Sequence, residues 1–327
     1  MKYFGRKKGV DRSITRVFFT TDIHGSDPAF NKFINAASFY QADAIVMGGD
    51  ITGKMVISVV KQPEGWEANL FGQKHLATVE SELEELERII RTNGFYPYRT
   101  TADEVEELAS DPELVDELFT RLMRESVETW METAEKKLSG TDVRCFMCLG
   151  NDDRDDVIPI IEESDVMIYA DGKVVDLDDK HEMASVGYSN MTPWHCPRDL
   201  TEDELAKKID DVVSSVSNMS NCVFNFHVPP HSSELDFAPE LDEDMKPVLV
   251  GGMPNIIPVG STAVREAIEK HQPLAGLHGH IHESRGVARI GRTLCLNPGS
   301  EYSEGMLRGV LLNIKDGKVL SHQFVSG

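Results

Sequence analysis

Five short apolar stretches of this sequence each run into side chains that bind metals. Arg16-Val17-Phe18-Phe19-Thr20 is followed by Asp22-Ile23-His24, Ala44-Ile45-Val46-Met47 by Gly48-Gly49-Asp50, and Val143 to Leu149 by Gly150-Asn151-Asp152-Asp153. Cys222 to Phe226 leads into His227, and Leu274 to Leu277 leads to Gly279-His280-Ile281-His282. Residues two apart in an extended segment point the same way, so Asp22 with His24, and His280 with His282, are each expected to reach one ion or two neighbouring ions. Carboxylate, imidazole and amide oxygen together suit borderline divalent metals such as Mn, Fe, Zn or Co, and fit neither an all-thiolate nor an all-oxygen site. With Asp50 shared, the seven residues Asp22, His24, Asp50, Asn151, His227, His280 and His282 divide into two four-ligand sets. Two ions about 3.5–4 Å apart can share a hydroxide and clamp a phosphoryl group.

The elements that must position these residues read as α/β. Between the first two strands, Phe30, Phe33, Ile34 and Ala37 recur at the spacing of one buried helical face, with Ser26 or Asp27 as cap and Pro28 in the first turn. A strand, a helix and a strand in succession argue for a parallel or mixed sheet, where sites form at the carboxyl ends of the strands. Residues 77–138 interrupt this rhythm and read as helices: Val79, Leu83, Leu86 and Ile90 form a stripe ending at Asn93-Gly94. Thr101 with Glu104 and Ser110 with Glu113 look like capping boxes, and Leu114, Leu118, Leu122, Trp130 and Ala134 mark a longer amphipathic helix. The chain closes on a hairpin, Val310 to Ile314 and Val319 to Phe324, about an Asp316-Gly317 turn. The expectation is one domain, 1–327, with a helical insert at about 55–140.

In this order, the motifs D-x-H, G-D, G-N, H and G-H-x-H resemble the calcineurin-like metallophosphoesterase superfamily, and they span residues 22 to 282. The resemblance implies a four-layer α-β-β-α sandwich of two mixed sheets with a dinuclear centre at one end. It implies one ion on Asp22, His24, Asp50 and His282, the other on Asp50, Asn151, His227 and His280, and hydrolysis of a phosphoric ester by a hydroxide bridging the two. Gly187 to Trp194, His227-Val228-Pro229-Pro230 and Asn297-Pro298-Gly299-Ser300 are similar to an archaeal and bacterial branch of predicted phosphoesterases.

Two departures bear on the reaction. Many relatives carry a histidine after the G-N asparagine as proton donor, and Asp152 stands there instead. A catalytic Asp152 needs a pKa raised well above about 4. Relatives that act on phosphoproteins place an arginine four residues after the shared aspartate, where this chain has Lys54, a point charge without the bidentate fork. Lys54 reads as a solvent-exposed residue before a phosphate contact, and the missing histidine favours a phosphodiester or activated phosphate ester, with a phosphomonoesterase on a small metabolite and a non-catalytic scaffold as alternatives.

Other residues read more plainly as structure. His231 and His278 fit structural histidines, Cys145-x-x-Cys148 fits core packing because i and i+3 of a strand face opposite ways, and Gly251-Gly252 and Gly260-Ser261-Thr262 lack a P-loop ending. Trp194 is a candidate pocket-lining residue. The net charge of −22, from 33 basic against 55 acidic residues, repels phosphate backbones, so a small phosphoester is the expected partner and nucleic acid is not. Residues 77–138 hold 17 Asp or Glu against 7 Lys or Arg, and a lid or a homo-oligomer interface are open readings of that insert. No apolar run approaches the about 18–20 residues that span a bilayer, and Met1 to Arg16 is basic without a signal-peptide core. With five cysteines, few and odd in number, these features point to free thiols and a cytoplasmic protein, with Lys2 to Arg16 as a flexible tail.

Overall fold

A computed structural model describes residues 14–327. The expected tail lies outside the described residues except for its end, where Thr15 and Arg16 open the strand Thr15–Thr20. That strand is interior to a six-stranded mixed sheet, sheet I. Its order is Lys318–Ser326, Arg308–Lys315, Thr15–Thr20, Ala44–Met47, Arg144–Met147, Met167–Tyr169. The last four strands run parallel, Arg308–Lys315 is antiparallel to them, and Lys318–Ser326 pairs antiparallel with it at the edge. Sheet II, also mixed, orders Gly286–Ile290, Thr293–Asn297, Ala275–Leu277, Cys222–Phe226, Glu182–Val186, Val174–Asp176.

Helices follow in the order α1 (Asp27–Phe39), α2 (Glu80–Thr92), α3 (Ala102–Ser110), α4 (Pro112–Leu138), α5 (Ile158–Glu162), α6 (Glu202–Val213) and α7 (Thr262–His271). The period of two along the first strand sorts its side chains between cores. Phe18 joins Phe30, Phe33, Ile34, Trp130 and Met131 under α1 and α4, whereas Val17 and Phe19 meet Val223, Leu277 and Leu296 between the sheets. Phe224 and Phe226 pack against Leu205, Ile209, Val264 and Ile268 of α6 and α7. Each such side chain contributes about 1.5–3 kcal/mol on burial. Cys145 and Cys148 fall into different cores, as their spacing requires, and all five thiols are free.

The insert differs from its expected helical form. It opens with a four-stranded sheet ordered Gln73–Ala77, Gly65–Leu70, Val56–Gln62, Tyr96–Thr100, and only α2 to α4 supply the helices. Val59, Ala68 and Leu70 of this sheet bury against Leu83, Leu86 and Ile90 of α2. The β-branched alternation of Val56 to Val60 carries the strand signal, and the charge of the neighbouring helices masks it. One cap moves by a residue: Asp111, not Ser110, accepts the first amide of α4, from Glu113; Ser26 stands at the N-cap of α1 as expected but spends its hydroxyl on the Thr92 carbonyl. Asp27 of α1 instead accepts the Trp130 indole N–H at 2.7 Å, tying α1 to α4. Among the described residues no helix is long and apolar enough to cross a membrane.

Candidate metal centre

Beyond their strands, the ligand-bearing loops stay paired backbone to backbone. Asp22 N donates to Gly49 O, His24 N to Asp50 O, and Gly279 N to His227 O, at 2.8 to 2.9 Å. The ladder is thereby carried past the sheet edge, which fixes the loops to one another. The chain does not remain extended there: Asp22, His24, Asp50 and His280 all have left-handed backbone, φ 39 to 65°. The expectation that Asp22 and His24 share a side of an extended segment is corrected accordingly, and the turn, not the pleat, brings them together. Asp and His tolerate this region better than most residue types.

Side chains from both sheets meet there in groups. Asp22, His24 and His282 can offer ligand atoms within 4.8 Å of one another; so can Asp50, His227 and His280, and so can His24, Asp50 and Asp152. His227 Nε2 lies 3.4 Å from Asp50 Oδ2, His282 Nε2 is 3.3 Å from Asp22 Oδ1, and His24 Nε2 is 3.1 Å from His282 Nε2. The donor set fits a cation. His24 Nδ1, Asn151 Oδ1 and both ring nitrogens of His227 are buried without a hydrogen-bond partner, and such groups are costly to leave unpaired.

Electrostatics couple these groups. Burial would raise the Asp50 carboxyl, but His227, His24 and His280 outweigh it and hold it well below the usual carboxylate range. Asp22 is lowered in the same way, burial being overcome by the His282 bond and His227. Burial opposes protonation of His227, yet Asp50 and Asp22 push its pKa up to about 9. In His280 burial wins, aided by the His227 charge, and lowers the pKa to about 4. The two imidazoles of one group therefore differ in how strongly the carboxylates favour a positive charge at them, and a divalent ion would supply that charge in place of the His227 proton, since a ligating imidazole is neutral.

Asp152 sits at the solvent side of the cluster, 31% exposed, with its carboxylate 3.2 Å from Lys54 Nζ and 3.8 Å from His24 Nδ1. Burial and the Asp50 charge raise its pKa, against the pull of Lys54. Tyr302 packs its ring 4.7 Å from that of His24.

Several supporting residues were not singled out by sequence. Asp153 is fully buried and accepts from the backbone N–H groups of Ile51, Thr52 and Gly150 and from the Thr52 hydroxyl, locking the loop of Asp50 to that of Asn151. Asn297 donates to the carbonyls of Gly279 and Ile281, and Ser300 donates to that of Asp22, so the Asn-Pro-Gly-Ser phrase braces two ligand loops. Its motif was visible, but its partners were not. Gly150 allows the closest approach: a Cβ there would stand 2.0 Å from Asp50 Oδ1 and 2.3 Å from Asp50 N. Gly94, in the turn after α2, is similarly pressed against the His24 carbonyl, 1.9 Å from where its Cβ would be.

Other candidates stay outside the groups. His278 is buried and its Nδ1 meets the Phe226 carbonyl, His231 joins none of the groups, and Trp194 is 65% exposed rather than lining a pocket. A cavity of about 610 Å³ lies elsewhere, between α4 and the segment after Asp153, where Arg121, Arg124 and Arg154 are mixed with acids.

No protein-family model matches the chain. It is 32% identical over 171 residues to the uncharacterized protein MJ1162 of Methanocaldococcus jannaschii, covering 51% of this chain and 70% of that one. One crystal structure superposes with a TM-score of 0.55 at 16% identity, covering 96% of this chain and 98% of the other, a likeness of fold. A novel archaeal phosphodiesterase aligns over 96% of this chain and 100% of its own at 10% identity, with a TM-score of only 0.31. At 32% identity with 70% of that protein covered, the chain belongs to one family with MJ1162, and its five ordered motifs gather at one edge of two mixed sheets.

Proposed function

We propose that this protein is a dinuclear metal-dependent phosphoesterase that hydrolyses a phosphodiester or an activated phosphate ester. The observation that supports this most directly is the position of Asp50, whose carboxylate takes part both in the group with His227 and His280 and in the group with His24. Asp22, His24, Asp50 and His282 would hold one ion, and Asp50, Asn151, His227 and His280 the other, with manganese, iron or zinc suited to this mixed donor set. When bound, such ions supply Lewis acidity and a water deprotonated near neutral pH.

The chain's own residues supply position and charge. Asp153 and the extended ladder keep the ligand loops in register. Asp152, at the open side of the cluster, is the group proposed to face the departing oxygen, and Lys54 beside it offers a cation to a phosphoryl oxygen. In the four-layer sandwich reading this centre lies at one end of the two sheets. The overall charge of −22 favours a small phosphoester over nucleic acid. Lys54 also favours a second reading, a phosphomonoesterase on a small metabolite, because a point cation suits a doubly charged terminal phosphate.

The test is elemental analysis of protein purified without chelator, together with turnover of bis-p-nitrophenyl phosphate and p-nitrophenyl phosphate in added Mn. Two equivalents of metal and diester turnover are expected, with Asp50→Asn reducing the rate by more than the roughly 10–100-fold typical of an outer-shell change. Monoester turnover alone would move the reading to the metabolite phosphatase. Neither metal nor turnover would overturn it in favour of a scaffold.

A further inference from the structure

A short ribbon beside the centre handles two ligands and leaves the rest alone. Ser189–Asn190 and Asp199–Leu200 pair in parallel, and Ser189 stands directly opposite Asp199. Asp199 Oδ1 accepts the Asn151 side-chain Nδ2 at 2.9 Å. Its other oxygen collects the backbone N–H groups of Thr192 and Cys196, both at 3.0 Å, and the Thr192 hydroxyl. An ionised carboxylate accepts and cannot donate. The Asn151 amide must therefore turn its NH2 toward Asp199, which leaves Oδ1, buried and unpartnered, on the other side as a potential ligand atom.

Ser189 treats His280 in a matching way. Its Oγ lies 3.2 Å from His280 Nε2 and donates to Asn190 Oδ1. An Nε2–H given to Ser189 leaves Nδ1 as the lone-pair nitrogen of the ring, and fixing the tautomer through the other nitrogen is how imidazole ligands are commonly set. Among the described residues, no hydrogen bond joins Asp22, His24 or His282 to this ribbon.

We propose that Asp199 and Ser189 are positioning residues for one ion site alone, the one formed by Asp50, Asn151, His227 and His280. Loosening them empties that site while the Asp22, His24 and His282 side keeps its ion. The inference rests on the dinuclear reading.

Asp199→Asn is the discriminating variant because it is isosteric and keeps an oxygen for Thr192 and Cys196. Its new NH2 faces that of Asn151 and forces the amide to flip, which turns Nδ2 toward the ion. Manganese titrated calorimetrically into chelator-stripped protein, with low-temperature electron paramagnetic resonance for coupling between ions, reads each site separately. Wild type should take two ions. Asp199→Asn should keep one and bind the second about 10–100-fold more weakly, with the spin-coupled signal lost and the metal-free melting temperature unchanged. The double variant D199N/N151D restores a donor facing an acceptor, so it should recover the second ion and the coupling. Two ions bound by Asp199→Asn at wild-type affinity would overturn the proposal, as would loss of both ions together with a lowered melting temperature, or no recovery in the double variant. A wild type that takes only one ion would instead overturn the dinuclear reading on which the proposal stands.

Discussion

The metal centre and the insert are both rich in acids and use them in opposite ways. Around Asp50 the carboxylates are buried, and each is balanced at short range by an imidazole or by backbone N–H groups. In the insert, acids such as Glu85 and Glu80 lie in the open and meet arginines across solvent, as in the pairs with Arg88 and Arg99. An exposed pair contributes little because water already solvates both partners, whereas a buried charge that loses its partner has nothing to replace it. Acidity alone therefore does not mark function in this chain, and burial separates the two uses.

The comparison is broken most severely by moving a buried carboxylate without removing it. Gly150→Ala puts a methyl group onto Asp50, and a shift of about 1 Å in a reacting group can cost on the order of 100-fold in rate. A diester turnover assay with added Mn should show a loss of that size, and a variant within threefold of wild type would mean that the Asp50 loop yields freely. Next comes a buried acid away from the ligands. Asp171 pairs with Arg198, both side chains no more than 5% exposed, and also accepts from Gly187 N. Asp171→Ala leaves the buried Arg198 guanidinium only the exposed Asp155 carboxylate, 3.7 Å away, and should lower unfolding stability by about 3–5 kcal/mol in a urea titration.

The smallest effect belongs to the insert. Hydrogen bonds from Thr100 and Tyr98 hold the Glu104 carboxyl below its ordinary value. A carboxyl depressed on folding stabilises fully above its unfolded pKa, near 4.3, and that stabilisation is lost as pH falls through the lower folded value. Glu104→Gln should therefore be slightly less stable than wild type at pH 7, with the gap closing as pH falls below about 4.5. A difference as large at pH 7 as that for Asp171→Ala would erase the distinction between the two regions.

The ligand loops were legible in the sequence because an apolar strand ending in a ligand residue is a local pattern, and Asp22, Asp50, His227 and His280 each carry one. What escaped depends on partners distant in sequence. Asp153 looked like a neighbour of Asp152 until its bonds to Ile51 and Thr52, about a hundred residues away, were seen. Asp199 sits in a segment without metal-ligand spacing, and its meaning comes only from Asn151, 48 residues earlier. The sheet at the start of the insert was hidden by the helices beside it, whose charge pattern dominated the reading. The turn conformation of Asp22 and His24 was missed because residue spacing says nothing about φ.

Those left-handed residues narrow how the centre can be re-engineered. At Asp22, His24, Asp50 and His280 the backbone itself selects among amino acids. Asparagine or glycine fits with little strain, whereas β-branched or bulky residues in this region are outliers. A designer who wished to convert this edge to a thiolate site would meet the main-chain preference before any question of donor chemistry. Variation at these four positions is confined to a short set of residue types. The freer route to a different ion preference runs through Asn151, His227 and His282, which carry no such torsional constraint.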